Sequence, residues 1–148
     1  MDDITEEKYP DEFIRGISDP SCISEDKLPN AHFLKFETLS KDGQTFEESI
    51  NWFDEDEALK TTFLQEKDGK IQFTYGAFIL DRMELEVQMK KPMIKNSLSY
   101  NRDPLRGNDY HGNILLQNTV EKKRARMISS SIAINCFIRY QEYIDYSI

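Results

Sequence analysis

Cysteine, histidine, glycine and proline are all sparse in this chain of 148 residues, with 2 Cys, 2 His, 6 Gly and 5 Pro. The two cysteines, Cys22 and Cys136, stand far apart and show no metal-ligand spacing. This excludes a dense disulfide framework, gives no support to a zinc site, and points to reduced thiols. Cys136, inside the apolar run IAINCFI, reads as inert packing. No apolar stretch approaches the roughly 20 residues that cross a bilayer. The start, MDDITEEKYPDE, lacks the basic and apolar regions of a secretory signal. A Walker loop, a GxGxxG turn, an HExxH pair and a GxSxG elbow are missing, so no metal or cofactor is implied. The expectation is a cytoplasmic protein with no membrane association.

What is present suits one globular domain. A chain of this length buries about 70% of its extended surface on folding. The 39% hydrophobic fraction, with 9 Phe, 7 Tyr and 1 Trp, supplies a core, and the 31% of charged residues supplies an exterior. The net charge of −8 is unevenly spread: residues 1–68 carry 19 acidic and 7 basic side chains, and residues 69–148 carry 8 acidic and 12 basic. Such polarity holds one half against the other or suits a charged partner, while overall acidity disfavours general binding to nucleic acid.

The chain divides into an acidic arm at 1–12, expected to be flexible, and a single domain at 13–148. FIRGI (13–17) is compatible with a strand, and 18–30 reads as a long loop. AHFLKFETL (31–39) and FEESINWF (46–53) predict a hairpin turning at Asp42-Gly43. Asp54 as N-cap and Glu57 in capping-box position predict a short helix at 55–65. Alternation over Ile71, Phe73, Tyr75, Ala77 and Ile79, then over Met83, Leu85, Val87 and Met89, predicts strands at 71–80 and 83–90. Residues 90–112 read as loop and NILLQN (113–118) as a strand. The end is ambiguous: Ile132, Ile134, Cys136, Ile138 and Tyr140 alternate, but Ile128, Ile132, Cys136 and Tyr140 follow a helical step. A helix at 120–143 capped by Thr119 is preferred. The fold class is therefore α+β: a mostly antiparallel sheet of about five or six strands, a short helix after the first hairpin, and a long C-terminal helix on the sheet.

The polar run from Arg102-Asp103-Pro104 to Asn108-Asp109-Tyr110-His111-Gly112-Asn113 is the main candidate site. His111 is suited to proton exchange, with Asp109 or Asp103 to orient its ring. The competing and preferred reading is that His111 and Asn113 bond the backbone of an ordered loop. Arg15, between apolar neighbours, is expected to meet a carboxylate rather than serve an anion site. Lys122, Lys123, Arg124 and Arg126 oppose the dipole at a helix start, at about 0.3–1 kcal/mol per exposed charge. The acidic run Asp54-Glu55-Asp56-Glu57 is the simplest compensation, and RNA the sharper one.

Three islands, FIRGI (13–17), SINW (49–52) and a DP at 103–104 followed by NDYHGNIL (108–115), resemble a loosely defined group of small bacterial proteins. That group is marked by an Arg-x-Ile opening, a Leu-Ser-Val-like strand and an Asn-Pro-x-His-like loop before an apolar strand. Asp109 stands where the group has proline, and Ile14, not an aromatic, stands directly before Arg15 in the opening. The resemblance implies a bacterial domain and directs attention to Arg15 and His111, without assigning chemistry. The leading expectation is a non-catalytic accessory or interaction module that binds another protein, as immunity, antitoxin or defence components do. The alternatives are a small enzyme acting on a nucleotide or RNA phosphodiester, with His111 as acid or base and Arg15 or Arg102 holding the anion, and an RNA-binding protein using the 122–126 cluster.

Overall fold

FIRGI forms the central strand of the molecule. A computed structural model describes residues 8–148, and in it β1 (Glu12–Gly16) runs antiparallel between β2 (Thr45–Trp52) and β5 (Ala77–Asp81). Strands β6 (Leu98–Arg102), β7 (His111–Gln117) and β8 (Phe137–Gln141) complete a six-stranded antiparallel sheet ordered β6-β7-β2-β1-β5-β8. Three α-helices interrupt it: α1 (Glu57–Leu64), α2 (Arg82–Met89) and α3 (Lys122–Cys136). A two-residue ladder, β3 (Glu66–Lys67) with β4 (Lys70–Ile71), stands apart. The protein is thus α+β, with α3 packed on the sheet.

Because side chains alternate along each strand, the sheet has two distinct faces. Phe13, Ile50, Trp52, Phe78, Leu80, Ile114 and Leu116 join Leu85 of α2 and Ile128, Ile132 and Cys136 of α3 in the larger core. Ile14, Ala77 and Ile79 meet Ala58 and Phe63 of α1 on the other side, where Tyr143 and Tyr146 close the edge.

Several elements differ from their sequence expectation. Segment 31–39 is not a strand; only Leu39 bridges to Phe46, so the hairpin is a stub around the Asp42-Gly43 turn. Phe33, Leu34 and Phe36 all turn inward, Phe36 holds a φ of 51°, and their amides take side-chain partners: Leu34 donates to Ser129 and Phe36 to Glu48. The stretch 83–90 is helix α2. Residues two apart on a helix lie about 200° apart, so exposed Met83 and Val87 fall opposite buried Leu85 and imitate a strand's alternation. Asp81 caps this helix by accepting from the Met83 amide. Of the strand expected at 71–80, only Lys70–Ile71 and Ala77–Asp81 are extended, and β6 arises within the expected loop 90–112.

The expected 120–143 helix stops at Cys136 and passes directly into β8, which pairs with β5. The helical step Ile128-Ile132-Cys136 is the buried face of α3, whereas the alternation is not that of a strand: Ile132, Ile134 and Cys136 lie on the helix, with Ile134 exposed, and only Ile138 and Tyr140 fall in β8. Ile138 is an extra residue opposite the Ile79/Leu80 step, and this irregularity lets Phe137 and Tyr140 both reach Phe78. Thr119 is not the cap: Glu121 holds that position without a side-chain bond. Asp54 likewise does not cap α1, whose N-cap is Asp56. Of the acidic start, residues 1–7 lie outside the described residues. Residues 8–12 are packed, with Tyr9 against Trp52 and Tyr100, and with Glu12 already in β1.

Candidate functional site

His111 opens β7, and its register with β2 sets it opposite Asn51, with Asn113 opposite Ser49 and Asn101. Strand alternation places Asn51, His111 and Asn113 on the α1 side of the sheet. There they join a chain of bonds: Thr62 donates to the Ala58 carbonyl (2.8 Å) and accepts from Asn51 Nδ2 (2.7 Å), and Asn51 Oδ1 accepts from Asn108 Nδ2 (2.8 Å). Asn108 Oδ1 in turn accepts from the Tyr110 amide. The loop before β7 is therefore sewn to α1 through buried amides. Buried polar groups satisfied in this way specify a loop conformation more than they create reactivity.

The ring of His111 is held by Asp103, not by Asp109. Nδ1 lies 2.8 Å from the Asp103 carbonyl and 3.7 Å from its carboxylate. A carbonyl only accepts, so the ring proton belongs on Nδ1. Asn113 Nδ2 reaches the same carboxylate at 3.2 Å and Asn101 at 3.3 Å, whereas Asp109 is exposed. The cavity bordered by His111, Asn51, Thr62 and Gln65 measures about 20 Å³, room for one water and not for a nucleotide.

Arg15 lies on the opposite face of the sheet. It shares the Phe13 side of β1, where it bonds Glu48 (2.8 Å) and the Ser49 carbonyl (2.7 Å). Glu48 is 8% exposed and uses its other oxygen to accept from the Phe36 amide (2.9 Å). The sequence gave no direct sign of Glu48, although it shares the inward parity of Ile50 and Trp52. Arg102 also lies on this face: it grips Asp54 through both oxygens (2.9 and 2.7 Å), bonds the Lys8 carbonyl, and stacks over Tyr9 and Trp52. The sheet thus separates both arginines from His111 and Asn113, and the convergence that a phosphodiester enzyme would need is not formed.

The basic cluster is exposed on the first turns of α3. Arg124 bonds the Met93 carbonyl (3.0 Å), tying the helix to the loop after α2. The acidic run expected to compensate the cluster is engaged elsewhere. Asp54 holds Arg102, and Glu55 accepts from the Tyr110 hydroxyl, which pushes that phenol up to about 12.

The thiols are unlike each other. Burial at the end of α3, against the larger core, pushes Cys136 up to about 12, while Cys22, only partly covered, is raised less and donates to the His32 carbonyl. A folded pKa above the unfolded one stabilises the fold below about pH 9 and is lost as pH climbs toward 12. Native protein at pH 8 is therefore expected to label at Cys22 and to label Cys136 only after denaturation, read by mass spectrometry with a thiol reagent. Unfolding free energy should fall by about 1 kcal/mol between pH 9 and 10, and Cys136→Ala should flatten that slope.

Among the described residues no group of three or more His, Cys, Asp or Glu side chains is placed to hold a metal. No helix among the described residues is long and apolar enough to cross a membrane. Compared with protein-family models, curated proteins and solved structures, the chain matches none. What the geometry defines is an α+β protein with a six-stranded antiparallel sheet whose polar candidates are divided between two faces.

Proposed function

We propose that this chain is a non-catalytic interaction module, a component of a bacterial cytoplasmic system of the immunity, antitoxin or defence kind, that binds another protein. The observation that carries this reading is the division of the candidate groups by the sheet, each engaged in bonds that hold its own loop or strand. Groups so engaged organise a surface rather than a reaction centre. The resemblance of the three short islands to small bacterial proteins accords with it.

The contact is assigned to the acidic corner where Asp11, Glu12, Asp54, Glu55 and Asp56 surround a shallow concavity beside Arg139. Asp11, Glu12 and Asp54 are paired with Arg82, Arg139 and Arg102, so the excess negative charge rests on Glu55, Asp56 and the neighbouring Glu57, and it would steer and orient a basic protein surface. The test is affinity purification from the native host of tagged wild type and of a Asp56→Lys/Glu57→Lys variant, with circular dichroism to confirm that the variant folds. Both side chains are exposed and make no ion pair with a described residue. One protein enriched by wild type and reduced at least tenfold by the folded variant is expected. Equal recovery with both, or no enriched protein, rejects the acidic corner as the contact.

A further inference from the structure

A second concavity, of about 500 Å³, lies at the other end of the sheet, between the 31–37 segment and the amino end of α3. Its lining combines an apolar part, Phe36, half-buried Phe46 and Val120, with a polar part that includes His32, Lys122 and Arg126. Lys35 reaches the same space but is bound to Asp19 at 3.0 Å and feels Glu37 beside it, so its charge is locally balanced. Lys122 and Arg126 form no ion pair with a described residue. Glu37 lines the same space and Glu121, the N-cap of α3, stands next to Lys122, so the unpaired positive charge of the groove rests on the Lys122 and Arg126 side chains, one turn apart on α3.

We propose that this groove binds a mononucleotide unit, the base lying on Phe46 and the phosphate between Lys122 and Arg126. An inorganic anion alone would leave the apolar part in water, and an apolar molecule would leave the two cations unmatched. A flat base joined to a phosphate answers both, and the volume falls within the usual range for small-ligand sites. The proposal goes beyond the protein-binding reading and uses the end of the molecule remote from the acidic corner. Free nucleotide and the 5′-phosphorylated end of a single strand share this chemistry; a longer strand would leave the groove and run over the exposed first turn of α3, past Lys123 and toward Arg124, which is tied to the Met93 carbonyl.

The experiment is an amide-resolved NMR titration of the whole chain at low salt with adenosine 5′-monophosphate, adenosine, inorganic phosphate and a 5′-phosphorylated oligoadenylate pentamer. Shifts at 32–37, Phe46 and 120–126 are expected, with the monophosphate binding at least tenfold more tightly than adenosine or phosphate alone. Lys122→Ala/Arg126→Ala should weaken it at least tenfold, and the remote Lys60→Ala should leave it unchanged. A pentamer that binds no tighter than the monophosphate identifies free nucleotide as the ligand. One that binds a hundredfold tighter, with steep salt dependence and sensitivity to Lys123→Ala/Arg124→Ala, identifies a strand end. The proposal is overturned if the monophosphate binds no better than its two halves, if shifts fall outside the groove, or if the folded double variant binds like wild type.

Discussion

Trp52→Ala is expected to lower the unfolding free energy by about 4 kcal/mol, the usual range for removing a buried large aromatic side chain being about 3–5. Trp52 is fully enclosed, with Tyr9, Phe13 and Tyr100 packed at ring-centroid distances of 4.8, 5.7 and 5.2 Å and Arg102 lying over its ring. Its indole nitrogen donates to the Asn101 carbonyl at 3.0 Å, linking β2 across β7 to the edge strand β6. Gly112 makes this possible: a Cβ there would stand 2.3 Å from the indole nitrogen and 2.4 Å from that carbonyl. Since small domains are stable by only about 5–15 kcal/mol, the variant should approach the limit of folding at 37 °C. Guanidinium unfolding followed by circular dichroism measures it, because the chain has 1 Trp and its fluorescence goes with the mutation. Trp52→Phe should retain most of the packing and lose about 1–2 kcal/mol. A loss below about 1.5 kcal/mol for Trp52→Ala would mean that the residues around it do not enclose it as described.

Arg15→Ala should cost about 3 kcal/mol for a different reason. The Glu48 side chain is 10% exposed and that of Arg15 23% exposed, so removing the cation strands a carboxylate with little access to water. The double variant Arg15→Met/Glu48→Gln keeps an acceptor for the Phe36 amide while removing both charges, and it should regain most of the loss. A purely surface pair would instead give less than about 1 kcal/mol for either change. The same denaturation experiment, run on both singles and the double, yields the coupling directly. Single and double variants of equal stability would show that the charge of Glu48 is solvated, and would remove the structural role assigned to Arg15.

The comparison of these two residues shows what the sequence could convey. Short apolar runs located β1 and β7, which are buried on both faces of the sheet, and the hydrophobic pattern of FEESINWF located β2. Alternation failed at 83–90, where a short helix with one well-buried apolar residue, Leu85, gives the same every-second-residue rhythm. It failed again at 31–39, where three inward-facing residues and a positive φ at Phe36 replace a strand with a wrap whose amides are satisfied by Ser129 and Glu48. At the close of the chain, helical and strand periods overlapped, and nothing local marked Cys136 as the point of change.

The candidate site was legible only as a set of residue types. That His111 would need an oxygen partner followed from its chemistry; that Asp103 would supply it depended on the backbone turn that brings Asp103 beside the start of β7. Whether Arg15 and His111 share a face depends on the registers β1 to β2 and β2 to β7 together. Within each strand the parity is plain, but the offset between strands is set by packing on both sides of the sheet and leaves no mark in the order of residues.

The central place of β1 has a bearing on how the chain is made. Phe13 and Ile14 are synthesised before the strands that flank them, Thr45–Trp52 and Ala77–Asp81, which follow only after long intervening stretches, and one edge strand, Phe137–Gln141, comes after all the others described. Pairing between such distant segments is slow compared with helix formation. During synthesis this central strand therefore waits with both edges bare, and the growing polypeptide is most exposed to wrong pairing before Asp81 has been added.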